Sequence, residues 1–281
     1  MDLHAHFTAF FSAGGRLLLC LLFTVIIMAE ATCSARSDAV QSMNASGNLN
    51  LNPAVDPIGH GAKFTAVLYN NRNGLPTSEA NAISQTDDGF IWIGSYAGLM
   101  RYDGNTFERI DADTPISNVR ALFTDSHNRL WIGTNDTGFL MMENGRFRRW
   151  GKAELPESVV IRCFSEDADG YIYVGTTSGI VIISPDLELS TDHSGRMEGS
   201  VQNLRRSSDG LVYALTRTGN LVCYSKGHQV SVMAAEDCPV KNISCILPDA
   251  ENPGWFWLGA TGSSIYYGKA SEAFQHAGVV D

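Results

Sequence analysis

The sequence predicts an all-β fold, a β-propeller with about five blades of four antiparallel strands, either an incomplete ring or a closed one. Three observations carry this. An apolar–aromatic–apolar run returns at Trp92, Trp131, Tyr173, Tyr213 and Trp257, in steps of 39, 42, 40 and 44 residues. A period of about 40 residues built from short β-rich runs marks propeller blades. Asp-Gly pairs at 88–89, 103–104, 169–170 and 209–210 separate many of the runs. Asp-Gly is a strong hairpin signal because glycine accepts the positive φ of a tight turn. Glycine also closes the aromatic run at Gly94, Gly133, Gly175 and Gly259, where a side chain would obstruct a bend or a neighbouring backbone.

Taken in order, residues 1–31 read as a signal peptide or membrane anchor. Leu17 to Ala29 is apolar and uncharged, Arg16 precedes it, and Ala29-Glu30-Ala31 offers a small-residue exit. That is the layout of a secretory signal. The run is short for spanning a bilayer, which takes about 20 residues. Cleavage is therefore the leading reading, and anchoring by this segment the alternative. Either way the body is exported, to the periplasm or cell surface. Residues 32–62 have no aromatic residue and are rich in Ser, Asn, Gly and Pro, the composition of a flexible linker. Phe64 to Tyr69 is expected to be a strand that could close the ring onto the last blade.

Blades are expected over residues 63–281, at about 81–110, 118–150, 159–189, 201–230 and 242–274. The first has strands at Ala82–Thr86, Phe90–Gly94, Gly98–Tyr102 and Thr106–Ile110. The second repeats this at Val119–Asp125, Arg129–Thr134, Gly138–Met142 and Arg146–Trp150. The third shows Val160–Phe164, Tyr171–Thr176 and Gly179–Ile183. The fourth shows Val201–Arg205, Leu211–Thr216 and Gly219–Tyr224, with Leu215 in place of the closing glycine. The fifth shows Ile243–Leu247, Trp255–Ala260 and Ser263–Tyr267. The recurrent aromatics are expected to fill the space between neighbouring sheets. They and the closing glycines, Trp92, Gly94, Trp131, Gly133, Tyr173, Gly175, Tyr213, Trp257 and Gly259, are assigned to structure.

The stretch Asp88-Gly89-Phe90-Ile91-Trp92-Ile93-Gly94, followed by Gly98-Leu99-Met100-Arg101-Tyr102-Asp103-Gly104 and Phe107, resembles the two-component regulator propeller repeat. Asn73-Gly74-Leu75-Pro76 resembles the lead-in to that family's first blade. The resemblance is closest in the first two blades and covers about residues 63 to 274. It implies the extracytoplasmic sensor propeller of a bacterial membrane signalling protein. Such propellers generally have more than five blades and precede a membrane helix and a kinase or cyclase domain. Residues 277–281 then read as the possible start of another blade, and the chain as truncated. A closed five-bladed ring is the alternative.

Composition narrows the chemistry. The net charge of −10 repels polyanions, and no cluster of Lys and Arg in the sequence offsets it, so nucleic-acid binding is not expected. Cys163 and Cys223 read as small core residues, while Cys238 and Cys245 are close enough in sequence to pair. No metal-ligand spacing, cofactor motif or nucleophile motif occurs. Gln85-Thr86-Asp87-Asp88-Gly89-Phe90-Ile91-Trp92 shares the Asp, Gly and Trp spacing of a sialidase Asp-box but lacks its Ser and Thr. The hairpin carboxylates Asp88, Asp103, Asp169 and Asp209 read as turn residues.

If the propeller holds a ligand, the loops between second and third strands share one rim and are the place to look. Ser95, Tyr96, Asn135, Asp136, Thr177 and Arg217 are the candidates. Tyr96 suits stacking on a sugar ring, while Asn135, Asp136 and Arg217 suit hydroxyls or acids. The expected partner is an extracellular small molecule or glycan. A homodimer is expected only through a signalling region that this chain lacks. The function so indicated is ligand sensing without catalysis. An exported propeller glycan hydrolase or lyase and a standalone protein-interaction propeller are the alternatives.

Overall fold

The computed structural model describes residues 68–280, apart from 73, 76, 78, 113–114, 151–154, 156–158, 191–198, 262–263 and 276. The leader, the linker and residues 64–67 of the expected closing strand lie outside the described residues. Leu68 and Tyr69 are described and belong to no strand.

Five antiparallel sheets follow one another from Asn70 onward. The first contains β1 (Ala82–Gln85), β2 (Ile91–Ser95), β3 (Gly98–Tyr102) and β4 (Phe107–Ile110). The second contains β5 (Val119–Thr124), β6 (Leu130–Thr134), β7 (Phe139–Glu143) and β8 (Arg146–Trp150). The third has three strands, β9 (Ile161–Glu166), β10 (Ile172–Thr176) and β11 (Gly179–Ile183), with a single bridge from Ile183 to Leu189 at the fourth place. The fourth contains β12 (Val201–Arg206), β13 (Val212–Thr216), β14 (Leu221–Ser225) and β15 (His228–Met233). The fifth contains β16 (Ile243–Pro248), β17 (Trp255–Ala260), β18 (Ile265–Lys269) and β19 (Gly278–Val280). Gly278–Val280 is thus the outer strand of the fifth sheet rather than the opening of another blade. A 3-10 turn at Ala270–Glu272 and residues to Ala277 loop back to bring it alongside β18.

Each sheet is ordered as in sequence, and the first strands touch in succession, β1 with β5, β5 with β9, β9 with β12 and β12 with β16. The first strand of every sheet is therefore innermost, as in a propeller. Cores form between sheets. Trp131 stacks on Trp150 and, with Phe139, meets Phe164 and Ile161 of the third blade. Trp92, Tyr173 and Tyr213 likewise face the next blade's first strand and are buried.

The closing glycines explain this packing. A Cβ on Gly94 would stand 2.4 Å from Val119, one on Gly133 2.5 Å from Ile161, and one on Gly175 2.8 Å from Val201. Each of those residues starts the next innermost strand, so glycine lets adjacent blades approach. In the fourth blade Leu215 instead fills the seam, fully buried among Ile243 and Ile246.

The fifth blade departs from the expected pattern. A Cβ on Gly259 would meet only Cys245 and Ser244 of its own sheet. Trp257, in the aromatic register, is 37% exposed, with Ile265 at 50% and Val279 at 57%. Phe256, on the opposite face, is the fully buried ring of this strand. The described blades therefore form an arc whose last sheet has one face open to solvent. Trp257 lacks the packing role of its counterparts because no sheet among the described residues covers it.

Candidate functional site

The rim with the loops between second and third strands is built by a repeated turn. Ser95 is fully buried and donates its Oγ hydrogen to Gly98 O at 3.2 Å. Thr134, Thr176 and Thr216 make the same bond to the residue three or four positions on. Ser95 is thus a turn-closing residue. Thr177 is similarly occupied, its N–H donating to Val160 O and its Oγ1 accepting from Val160 N at 3.1 Å. The Asn135 N–H donates to Asn118 O, and Asp136 Oδ2 accepts from Asn118 Nδ2 at 2.7 Å. Tyr96, 47% exposed, and Arg217, exposed, leave their side chains to solvent on the first and fourth blades.

A second feature of this rim was not apparent in the sequence. Four innermost strands shift register at the same place, between Val119 and Ala121, Ile161 and Cys163, Val201 and Asn203, and Ile243 and Cys245. The extra residues are Arg120, Arg162, Gln202 and Ser244. A β-bulge re-aims the unpaired residue and bends its strand, so neighbouring innermost strands each present one polar side chain. Gln202 Nε2 donates to Ser244 O at 2.8 Å and Ser244 Oγ to Gly259 O at 3.0 Å. Arg120 and Arg162 make no ion pair or side-chain hydrogen bond among the described residues, and Arg162 Nε is buried without an acceptor. On the neighbouring strand Asn203 Oδ1 is buried without a donor.

Arg205 lies further along β12 and donates from Nη1 to Leu204 O at 2.8 Å. Burial holds its guanidinium below the ordinary arginine range. Arg205 and Arg162 both act electrostatically on the Cys163 thiol, which burial nonetheless pushes up to about 12. That group is a neutral thiol at neutral pH. The signal in the sequence was a polar residue directly after the β-branched residue that starts each strand, Val119-Arg120, Ile161-Arg162, Val201-Gln202 and Ile243-Ser244.

On the opposite rim, carboxylates are engaged in holding turns. Asp125, Asp167 and Thr86 stand six residues before Trp131, Tyr173 and Trp92. Each accepts the aromatic's polar hydrogen, at 2.7, 2.8 and 2.9 Å. Asp125 also accepts from the backbone of His127 and Arg129 and from Arg129 Nε, while Asp167 accepts from Asp169, Tyr171 and Lys226. The Tyr173 hydroxyl in turn accepts from Gly227 N, and Glu166 accepts both Ser126 N and Oγ, so these groups tie blades together. Of the hairpin carboxylates, Asp88, Asp103 and Asp209 accept backbone N–H groups within their own turns. Asp169 donates its N–H to Asp167 and lies 3.8 Å from Lys226 Nζ. A cleft of about 390 Å³ between the first two blades is lined by Thr86, Asp88, Arg101, His127 and Asn128. Its Arg101 is engaged by Glu108 and stands over the Phe90 ring.

Cys163, Cys223, Cys238 and Cys245 are all free thiols, so Cys238 and Cys245 do not pair. Cys223 and Cys238 are buried, Cys163 is half-buried and Cys245 is exposed. Among the described residues no cluster of His, Cys, Asp and Glu could hold a metal, and no helix is long and apolar enough to cross a membrane.

The family model for the two component regulator propeller matches residues 74–97, 114–136 and 154–178. No curated protein matches the sequence. Among solved structures, the extracellular domain of a hybrid two component system from B. thetaiotaomicron is similar at 20% identity with a TM-score of 0.58. The alignment covers 72% of this chain and 28% of that one. The extracellular domain of a one component system from the same organism is similar at 20% identity, TM-score 0.55, over 73% and 28% of the two chains. Virginiamycin B lyase from Staphylococcus aureus is similar at 14% identity, TM-score 0.56, over 68% and 67%. At these identities the likeness is one of fold. The chain spans little more than a quarter of the length of the two extracellular domains.

Proposed function

Because this chain carries the two component regulator propeller repeat, we propose that it is an extracytoplasmic ligand-binding propeller of a bacterial signal-transduction protein, without catalytic activity of its own. The observation that carries this reading is the repeated bulge on the innermost strands. It places Arg120, Arg162, Gln202 and Ser244 side by side, with two arginines lacking a partner among the described residues. Polar groups converging on a rigid scaffold are the mark of a binding site. The solved propellers that are extracellular domains of two component and one component systems support a place outside the cytoplasm, as do the signal-like residues 1–31. The buried carboxylates support a non-catalytic role, since Asp125 and Asp167 are fully engaged as hydrogen-bond acceptors. The ligand is a small molecule or glycan met outside the cytoplasm, with Tyr96 and Arg217 as further rim contacts.

A thermal-unfolding screen of the exported chain against small acids and neutral and acidic oligosaccharides tests this. A ligand that binds only the folded state at 100 times its Kd stabilises by about 2.7 kcal/mol. A reproducible, saturable rise in Tm is expected, with the added compound recovered intact. Release of product from a labelled glycan would replace the sensing reading with the hydrolase or lyase alternative. A protein whose Tm responds to none of these compounds but which retains a partner protein would favour an interaction propeller.

A further inference from the structure

We infer that the innermost strands hold the anionic group of the ligand, a carboxylate or sulfate on a hydroxylated small molecule, between Arg162 and Arg205, with Arg120 at the entrance. This rests on the ligand-binding reading above and assigns the ligand's chemistry. Three arginines stand on consecutive innermost strands of a protein whose net charge is −10. No carboxylate pairs with any of them among the described residues. Arg120 is exposed, while Arg162 and Arg205 are half-buried and both act electrostatically on the Cys163 thiol. The thiol cannot neutralise them, because it stays protonated at neutral pH. A half-buried cation with a buried donor left unpaired, as at Arg162 Nε, is destabilising, and a bound anion removes that penalty. Guanidinium presents a planar fork that matches a carboxylate or sulfate with paired hydrogen bonds.

Asn203 adds the second requirement. Its buried Oδ1 lacks a donor, and Asn203 immediately follows the bulge residue Gln202 on β12, the strand that also carries Arg205. A ligand hydroxyl beside the acid would satisfy it. Acid and hydroxyl on one small frame describe a hydroxy acid, an acidic sugar or a sulfated sugar.

The test uses the full chain with sodium sulfate against sodium chloride at matched ionic strength, and D-galacturonate against D-galactose. Wild type, R162Q and R205Q are compared with R146Q, which removes an exposed arginine from outer strand β8. Sulfate strengthens folding generally by exclusion from protein surfaces, so the readout is the difference between variants. At about ten times the half-saturating concentration, an extra rise of about 3 °C is expected for sulfate or galacturonate in wild type and R146Q. That extra rise should vanish in R162Q and R205Q. A response to sulfate alone or to galacturonate alone supports the site and names the anion. Should R162Q fail to fold, R162K keeps the charge without the fork, and a half-saturation point weakened by about ten-fold is expected. Equal shifts in all variants would show an adventitious salt effect and overturn the inference. A galactose shift equal to that of galacturonate and retained in R162Q would overturn the anion assignment while leaving ligand binding intact. No shift with any probe overturns the assignment, and the oligosaccharide screen then decides the wider reading separately.

Discussion

Replacing Asp125 by alanine should unfold the second blade's turn at a cost far above that of an ordinary surface change. The Asp125 side chain is fully buried and holds four donors, the N–H groups of His127 and Arg129, Arg129 Nε at 2.6 Å and Trp131 Nε1 at 2.7 Å. The Arg129 side chain is itself only 7% exposed, and its Nη2 has no other partner. Alanine would therefore leave a buried guanidinium without its counter-charge and a buried indole N–H without an acceptor. Breaking a buried ion pair by removing one partner costs about 3–5 kcal/mol. In a folded body of this size each kcal/mol moves Tm by about 2–4 °C, so D125A should lower Tm by about 12 °C. Urea unfolding followed by circular dichroism would give the free energy directly. The double variant D125L/R129M removes both charges and should recover a large part of that loss, the remainder being the N–H groups of His127, Arg129 and Trp131 left without their acceptor. A loss below about 1 kcal/mol in D125A would refute the reasoning, as would a double variant no better than the single one.

Other expectations follow from the seams and the titrating groups. Gly133→Ala should cost about 2–3 kcal/mol by forcing the second and third blades apart, with Ile161→Ala recovering part of the loss in that background. Gly278→Ala, which meets nothing within 4 Å, should be near neutral in the same denaturation series. In native protein at pH 8, Cys245 should be labelled by a maleimide while Cys223 and Cys238 wait for unfolding. Cys163 has its thiol pushed from 9.0 up to about 12 by burial. The stability this confers is present below pH 9 and lost as pH rises to about 12, because the unfolded chain ionises first. Cys163→Ala should flatten the alkaline limb of a stability–pH curve, read from urea midpoints. Asp249 behaves in the opposite sense. Burial opposes its ionisation, but hydrogen bonds from Tyr267, Glu251 and Asn252 outweigh that and hold it below 3.8. Its contribution is full above 3.8 and disappears as pH falls through the lowered value. Asp249→Asn should flatten the acid limb between pH 2 and 5 in the same assay.

The sequence shows the parts of this fold that depend on local chemistry. Hairpins at Asp88-Gly89 and Asp103-Gly104 are visible because the turn needs glycine's positive φ, observed at +88° and +97°. Trp92, Trp131, Tyr173 and Tyr213 are visible because each seam needs the same large ring. The fate of Trp257 was not visible, since burial depends on the sheet that follows rather than on the residue itself. The outer strands β15 and β19 were missed for a related reason. His228–Met233 is largely exposed, and Gly278–Val280 is only three residues long and follows a looped return, so neither shows clear alternation. The arginine cluster was hidden by the bulges. In an unbroken strand, Val-Arg-Ala and Ile-Arg-Cys read as ordinary alternation. The register shift that sets Arg120 and Arg162 apart is a property of the ladder with the next strand.

The open fifth sheet gives the molecule a built-in optical reporter. Trp92, Trp131 and Trp150 are enclosed and Trp255 is half-buried, so Trp257 is the most solvated indole described. Its emission should lie to the red of the others and be the fraction that acrylamide reaches first. Anything that seals this face, whether a further sheet or a second molecule, would shift that emission to the blue and shield it from the quencher. Closure of the arc can therefore be followed in real time without attaching a dye.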